Sequence, residues 1–210
     1  IENERAIFMS NFSPSVCKDH FFNDPHKIIE LTNQIEFKPT KYISGKRSDF
    51  LHVINKPLHD YVNKKIIDIY YSNTIKNFSA YSYFQKSDPD KHDGWVHPDT
   101  ETLTAIIYLT IGDTVGTSIY NLKEEFKIPD WNIGHHEKLK YFENKKTYTE
   151  EHKKIVYENK IKHNKHFNKT MHYDGRFNRM ICFDSKQFHA AEVCTSERLI
   201  LISFLSDIDK

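Results

Sequence analysis

The sequence predicts a mainly β fold with N-terminal helices: a double-stranded β-helix (jelly roll) supported by helices on one side. Three observations carry that prediction. Two amphipathic helical stretches come first, and a series of strand-like runs follows at 78–85, 102–110, 117–120, 178–184 and 198–205. The 210 residues, 38% apolar and 14% aromatic, are enough for one globular domain with a sizeable core. The expected organisation is a single domain over 1–210, with 1–77 as helical support. A jelly-roll core over 78–205 then carries 121–170 as an insertion or lid.

Taken in order, Ala6-Ile7-Phe8-Met9 reads as a short edge strand. Asp24-Pro25 supplies an N-cap followed by proline at the first helical position, and Ile28, Leu31 and Ile35 then share one face. Residues 38–49 hold Pro39, Gly45 and several charges and read as a loop with one short strand. Pro57 opens a second helix, with Leu58, Val62, Ile66 and Ile69 on one side and Asn73 as its stop. Amphipathic helices ahead of β-rich sequence pack on the back of a sheet. From Phe78 the pattern turns aromatic and alternating. Residues 87–94 form a turn-rich loop leading to the apolar run that ends at Thr110. Between 121 and 170 the chain is polar, with a helix from Thr149 to about Lys162. His172-Asp174-Gly175 reads as a turn.

Composition narrows the function classes. A net charge of +1 gives no global attraction to nucleic acid or membrane. No apolar run approaches the roughly 20 residues of a membrane helix. Cys17, Cys182 and Cys194 show no metal-like spacing and leave an odd one over, which suits a reduced, cytoplasmic setting. The chain begins at Ile1 without a basic-then-apolar leader, so no signal peptide is expected in this stretch. One local bias runs the other way. From 137 to 169 lysine outnumbers acid, with Tyr141, Phe142, Tyr148, Tyr157 and Phe167 interleaved. Phosphates and bases would suit that mixture, and so would the solvated face of an amphipathic helix. His135, His136, His152, His163 and His166 lack a regular ligand spacing.

The chemistry concentrates at Gly94-Trp95-Val96-His97-Pro98-Asp99-Thr100, just ahead of the Leu103–Leu109 run. In an extended segment, side chains two apart point the same way, so His97 and Asp99 share a face. They supply two thirds of a 2-His-1-carboxylate triad, the ligand set that holds ferrous iron with open positions. His189 offers the missing imidazole. Arg198 follows nine residues on, at the head of another apolar run. With 13 His and 29 acidic residues, about two His-x-acid pairs arise by chance. His135-Glu137 and His172-Asp174 are the decoys, and only His97-Asp99 leads directly into a long strand-like run.

The joint pattern His97-x-Asp99 … His189-x8-Arg198 resembles the iron- and 2-oxoglutarate-dependent dioxygenase superfamily, nearest in pattern to its prolyl-hydroxylase-like branch. The likeness covers roughly Phe78 to Leu205. It implies an Fe(II) centre held by His97, Asp99 and His189, with 2-oxoglutarate as cosubstrate. Arg198 would pair with the far carboxylate of 2-oxoglutarate, Tyr108 would add a hydroxyl, and Tyr83 would line the same pocket. An arginine fork meets a carboxylate in bidentate geometry and offsets the cost of its burial. Two features depart from the pattern: Val115-Gly116-Thr117 stands where a glycine pair is usual, and the segment between the halves of the site is long.

The resemblance implies hydroxylation of a C–H bond with succinate and CO2 as co-products, and it admits ascorbate. Halogenating relatives lack the carboxylate ligand, so Asp99 points to hydroxylation, or to demethylation by hydroxylation. By analogy with the prolyl-hydroxylase-like pattern, the expected substrate is of amino-acid type, free or within a peptide or protein. Nucleic acid, reached through the 137–169 segment, is the runner-up. A cupin-like metal protein would need neither Arg198 nor Tyr108, and a non-enzymatic binding module would use the basic segment alone.

Overall fold

The computed structural model describes residues 14–39, 45–72, 74–89, 94–124, 149–193 and 195–209. The expected strand at 6–9, the stop at Asn73 and the aromatic and histidine-rich stretch at 125–148 lie outside those residues. Two antiparallel sheets and four helices make up the described part. The strands are β1 (Val16–Lys18), β2 (Lys38–Pro39), β3 (Gly45–Arg47), β4 (Asn77–Ser87), β5 (Leu103–Tyr108) and β6 (Asp113–Leu122). They continue with β7 (Phe167–Arg176), β8 (Met180–Asp184), β9 (Phe188–Ala191) and β10 (Arg198–Asp209). The large sheet runs β1-β8-β5-β10-β4-β3-β2 and the small one β7-β6-β9. This is a mainly β jelly roll with helices on one side, as the sequence predicts.

The helices begin where the capping residues dictate. In α1 (Pro25–Gln34) the Asp24 side chain accepts from the Lys27 amide, and Ile28 is buried. A four-residue turn, α2 (Leu51–Ile54), precedes α3 (Lys56–Tyr71), whose cap is Asn55 accepting from the Leu58 amide. Ser72 closes α3 in the left-handed conformation. Thr149 caps α4 (Glu150–Asn164), where glutamates open and basic residues close the helix in keeping with its dipole.

Register divides the large sheet into two faces. Leu103, Ala105, Ile107, Met180, Cys182, Leu201 and Leu205 turn toward the helices and join Phe21, Leu51, Val62, Ile66 and Ile67 in one apolar core. Each fully buried aliphatic side chain there contributes about 1.5–3 kcal/mol. The opposite face meets the small sheet. Its rows cross the strands as Phe183–Thr104–Phe204–Tyr81, then Ile181–Ile106–Ile202–Tyr83, then Tyr108–Ile200–Gln85–Arg47. Ile119 of β6 packs into this second, smaller core, with Tyr173 of β7 against it.

Three expectations need correction. His172-Asp174-Gly175 is no turn: it lies inside β7, paired with β6. Strand also reaches Leu122 on one side of the 121–170 segment and begins again at Phe167 on the other. Lys38–Pro39 and Gly45–Arg47 form two short paired strands where one was expected. No helix among the described residues is long and apolar enough to cross a membrane.

Candidate metal centre

A two-residue antiparallel bridge joins the halves of the site. The His97 amide donates to the His189 carbonyl at 3.0 Å, and the His189 amide returns to the His97 carbonyl at 2.9 Å. The two imidazoles therefore lie side by side, ring centroids 4.6 Å apart. Asp99 is held by its amide, which donates to the Ser185 carbonyl at 2.7 Å. Its carboxylate reaches 3.3 Å from His189 Nε2 and 3.9 Å from His97 Nε2. Each of the three residues offers a ligand atom, and these atoms lie within 4.8 Å of one another. Among the described residues this is the one cluster of that kind.

The ring nitrogens are already assigned by their neighbours. His97 Nδ1 lies 2.7 Å from the Trp95 carbonyl oxygen, and His189 Nδ1 lies 2.9 Å from that of Gln187. A carbonyl only accepts, so each Nδ1 carries the hydrogen and each Nε2 turns its lone pair toward Asp99. Two imidazole lone pairs and a carboxylate facing one another require a cation between them, either a proton or a metal ion. Backbone carbonyls on the far ring nitrogens are the usual orientation device of metal-ligating histidines. The donor set of two nitrogens and one oxygen fits Fe(II).

Asp99 has a second support that the sequence did not disclose. Thr104 Oγ1 donates to Asp99 Oδ2 at 2.9 Å, and Ser185 Oγ lies 2.7 Å from Thr104 Oγ1. Thr104 spends its hydrogen on Asp99, so Ser185 donates to Thr104, and the chain Ser185–Thr104–Asp99 runs through fully buried hydroxyls. Burial alone would raise the Asp99 pKa. With a proton as the cation between the three groups, the charge and hydrogen bond of His189, with His97 and Thr104, outweigh it and hold the carboxyl well below its usual range.

Helix α4 fixes the approach to His97. Asn164 Nδ2 donates to the Gly94 carbonyl at 3.0 Å, and Asn164 Oδ1 accepts from the Val96 amide at 3.0 Å. His163 Nε2 meets the Val96 carbonyl at 2.8 Å. These partners are nearly 70 residues from Gly94 in sequence, and no local pattern marks them.

On the same inner face, beyond Tyr108, lies Arg198. It is 6% exposed. Its Nη1 has only long contacts, 3.4 Å each, to the Val115 and Gly116 carbonyls. Its Nε is buried without a hydrogen-bond partner, and no carboxylate among the described residues pairs with it. Gly116 is obligatory here, because a Cβ would sit 1.7 Å from the Tyr173 carbonyl oxygen. Tyr108 is fully buried, and its hydroxyl donates to Thr117 Oγ1 at 2.8 Å. Burial pushes that phenol up to about 12, with the Thr117 bond and Arg198 acting against it. Tyr83 also faces inward, but the Arg47 guanidinium covers its ring at 4.4 Å. Burial pushes its hydroxyl up to about 12 as well.

The decoy His172 belongs to a different cluster. Its Nε2 lies 3.1 Å from Asp174, its Nδ1 3.0 Å from the Ser118 hydroxyl, and Glu192 accepts from Ser118 at 2.7 Å. Asp99 is not part of it.

Comparison with known proteins shows what the fold is similar to. An oxidoreductase of the 2OG-Fe(II) oxygenase family from Burkholderia pseudomallei is similar in structure. It has 11% sequence identity, covers 91% of this chain and 84% of that one, and gives a TM-score of 0.53. HygX from Streptomyces hygroscopicus, solved with nickel and 2-oxoglutarate, matches over 98% of this chain and 87% of its own, at 8% identity and TM-score 0.53. SnoN, a non-heme alpha ketoglutarate dependent epimerase of nogalamycin biosynthesis, matches over 97% and 82%, at 9% identity and TM-score 0.53. At such identities these likenesses establish the fold. None of the curated proteins compared with the chain matches it. Residues 8–200 match the model of the Family of unknown function (DUF6445), and the chain belongs to that family.

Proposed function

We propose that this protein is a non-haem Fe(II)- and 2-oxoglutarate-dependent dioxygenase that hydroxylates a C–H bond of an amino-acid-type substrate. One observation carries the reading: Arg198, a buried guanidinium without a carboxylate, on the same inner face as a two-histidine, one-carboxylate cluster. An unpaired buried charge is costly, and the protein keeps one where a cosubstrate's carboxylate would neutralise it. A cupin-like metal protein has no use for that cation. The shared fold agrees with the oxygenase reading, and all three neighbours named above are described with 2-oxoglutarate, its abbreviation or its synonym.

In this reading His97, Asp99 and His189 hold Fe(II) through Nε2, a carboxylate oxygen and Nε2 respectively. When bound, the metal and 2-oxoglutarate would supply dioxygen-dependent hydroxylation, one oxygen atom of O2 entering succinate as CO2 is lost and the other entering the substrate C–H bond. The chain's own groups orient and exclude. Trp95 and Gln187 carbonyls fix the imidazole tautomers, and Thr104 holds the Asp99 carboxylate. Arg198 pairs with the distal carboxylate of 2-oxoglutarate, and the Tyr108 hydroxyl, with Thr117, completes its polar contacts. Tyr83 belongs on the substrate side of the pocket, shielded by Arg47. The chain acts as one catalytic domain, in which the 121–170 segment contributes α4 as a brace for residues 94–96 and a rim to the site.

The test is iron and 2-oxoglutarate turnover in purified protein. His97→Ala, Asp99→Ala and His189→Ala should each lose bound iron and succinate formation while keeping their circular dichroism. Full activity in His97→Ala sinks the assignment.

A further inference from the structure

Next to the cluster the inner face carries a strip of aromatic rings with an unmatched charge at each side. The row Phe183–Thr104–Phe204–Tyr81 crosses the sheet through Thr104, the residue bonded to Asp99. Phe204 and Tyr81 therefore stand at the level of the cluster. They stack at 5.1 Å, with Tyr83 stacked on Tyr81 at 6.5 Å. Phe50 sets its edge against Tyr81, lies tilted against Tyr83 and is 47% exposed, so the strip opens to solvent there.

On one side of the strip, Glu101 accepts the Tyr81 hydroxyl hydrogen. On the other, Arg47 covers the Tyr83 ring and donates through Nε to Gln85 at 3.0 Å. Neither charge has an ion-pair partner among the described residues. Both are felt at Tyr83, where burial dominates, Arg47 opposes it, and Asp99 and Glu101 add to it. Cluster, strip and the two charges therefore share one neighbourhood.

We propose that this strip binds the prime substrate and selects a small molecule bearing both an ammonium and a carboxylate, the free amino-acid class. Glu101 takes the ammonium, Arg47 takes the carboxylate with its two terminal nitrogens, and the carbon body lies on Tyr81 and Phe204 facing the metal. Arginine matches a carboxylate bidentately, and aromatic faces favour the ammonium's neighbourhood. A residue inside a peptide has neither charge and leaves both Glu101 and Arg47 unmatched. The inference rests on the oxygenase reading for the location of the oxidant, and on the charges themselves for the class.

The experiment is ligand-observed NMR on zinc-loaded protein with the twenty protein amino acids. The best binder is then compared with its own decarboxylated amine, its own deaminated acid and its N-acetyl amide. At least one amino acid should bind, each single-charge analogue should bind at least tenfold more weakly, and the blocked amide should not bind. Glu101→Gln should cost tenfold or more for the amino acid but little for the acid. Arg47→Gln should likewise cost tenfold or more for the amino acid but little for the amine, and Arg47→Lys should lose less. No binding by any of the twenty overturns the proposal, as does a blocked amide that binds as well as the free amino acid, or affinity indifferent to both substitutions. Binding of 2-oxoglutarate to the wild type, followed in the same samples, separates the two readings. If 2-oxoglutarate binds and no amino acid does, this inference alone fails; if 2-oxoglutarate does not bind, the oxygenase reading fails.

Discussion

Replacing Arg198 by methionine should move two measurements in opposite directions. In the ligand-free protein Arg198 is a buried cation, 6% exposed, with two 3.4 Å contacts and an orphaned Nε. Replacing even a buried ion pair by apolar side chains of similar volume is often neutral or stabilising by about 1–4 kcal/mol, and a buried charge without a partner has less attraction to lose. The two long contacts return little, so Arg198→Met should melt no lower than wild type without ligand. With metal and 2-oxoglutarate the order reverses. A carboxylate left without its buried partner costs about 2–5 kcal/mol, which at about 1.4 kcal/mol per decade is some thirtyfold to several thousandfold in affinity. Saturating cosubstrate at about 100 times Kd stabilises wild type by about 2.7 kcal/mol, and the variant should lose nearly all of that shift. Thermal melts of both proteins, with zinc and with and without 2-oxoglutarate, read both numbers. A variant that melts well below wild type yet keeps the full 2-oxoglutarate shift would refute the reasoning, because Arg198 would then be an ordinary structural cation.

Three further outcomes are expected. Thr104→Val removes the hydroxyl that orients Asp99 and should lower metal affinity about 10–100-fold, read by competition with a chromophoric chelator. Asn178 sits at φ +62° and exchanges two 2.8 Å side-chain bonds with the Phe22 backbone. Asn178→Ala should cost about 3–4 kcal/mol in denaturant melts, from two buried bonds and a left-handed backbone, with Asn178→Gly about 1 kcal/mol milder. Glu192 has its pKa lowered: burial raises it, but the Lys169 and Ser118 bonds and His172 outweigh that. A depressed carboxylate adds stability above its ordinary value of 4.5 and loses it on acidification below that value. Glu192→Gln should therefore flatten the acid side of the melting curve, by less than about 1 kcal/mol for a partly exposed group whose partners are screened by solvent.

What the sequence disclosed depended on whether the signal was local. Asp24-Pro25 and Thr149 mark helix starts because a cap acts within three residues. His97 and Asp99 share a face through strand geometry alone, and the apolar runs of β5 and β10 are visible because both faces of those strands are covered. Strand β7 was hidden for the opposite reason. Most of its residues from Asn168 to Asp174 are exposed, so no alternation of apolar and polar survives. Strand β9 is only four residues long and owes its place to pairing with β6. Asn164, Ser185, Arg47 and Glu101 act on partners far along the chain or across the sheet, and nothing in their immediate sequence distinguishes them from surface polar residues.

The two faces of the large sheet explain why the site can hold unsatisfied charge at all. Facing the helices, Leu103, Ala105, Ile107, Met180, Cys182, Leu201 and Leu205 are fully buried and purely apolar. Burial pushes the Cys182 thiol far above its ordinary range, so it stays a neutral packing group. That face supplies the stability from which an unpaired buried guanidinium is subtracted. Alternation along β5 then places Thr104 and Tyr108 on the opposite face, one beside Asp99 and the other next to Arg198, four residues apart on one strand. At about 3.3 Å per residue they are about 13 Å apart. A single rigid strand therefore fixes both the hydroxyl behind the candidate metal ligand and the phenol at the buried cation, with neither left to a loop. Changes on the helix side should lower stability while leaving that spacing intact, and changes on the inner face should alter binding more than stability.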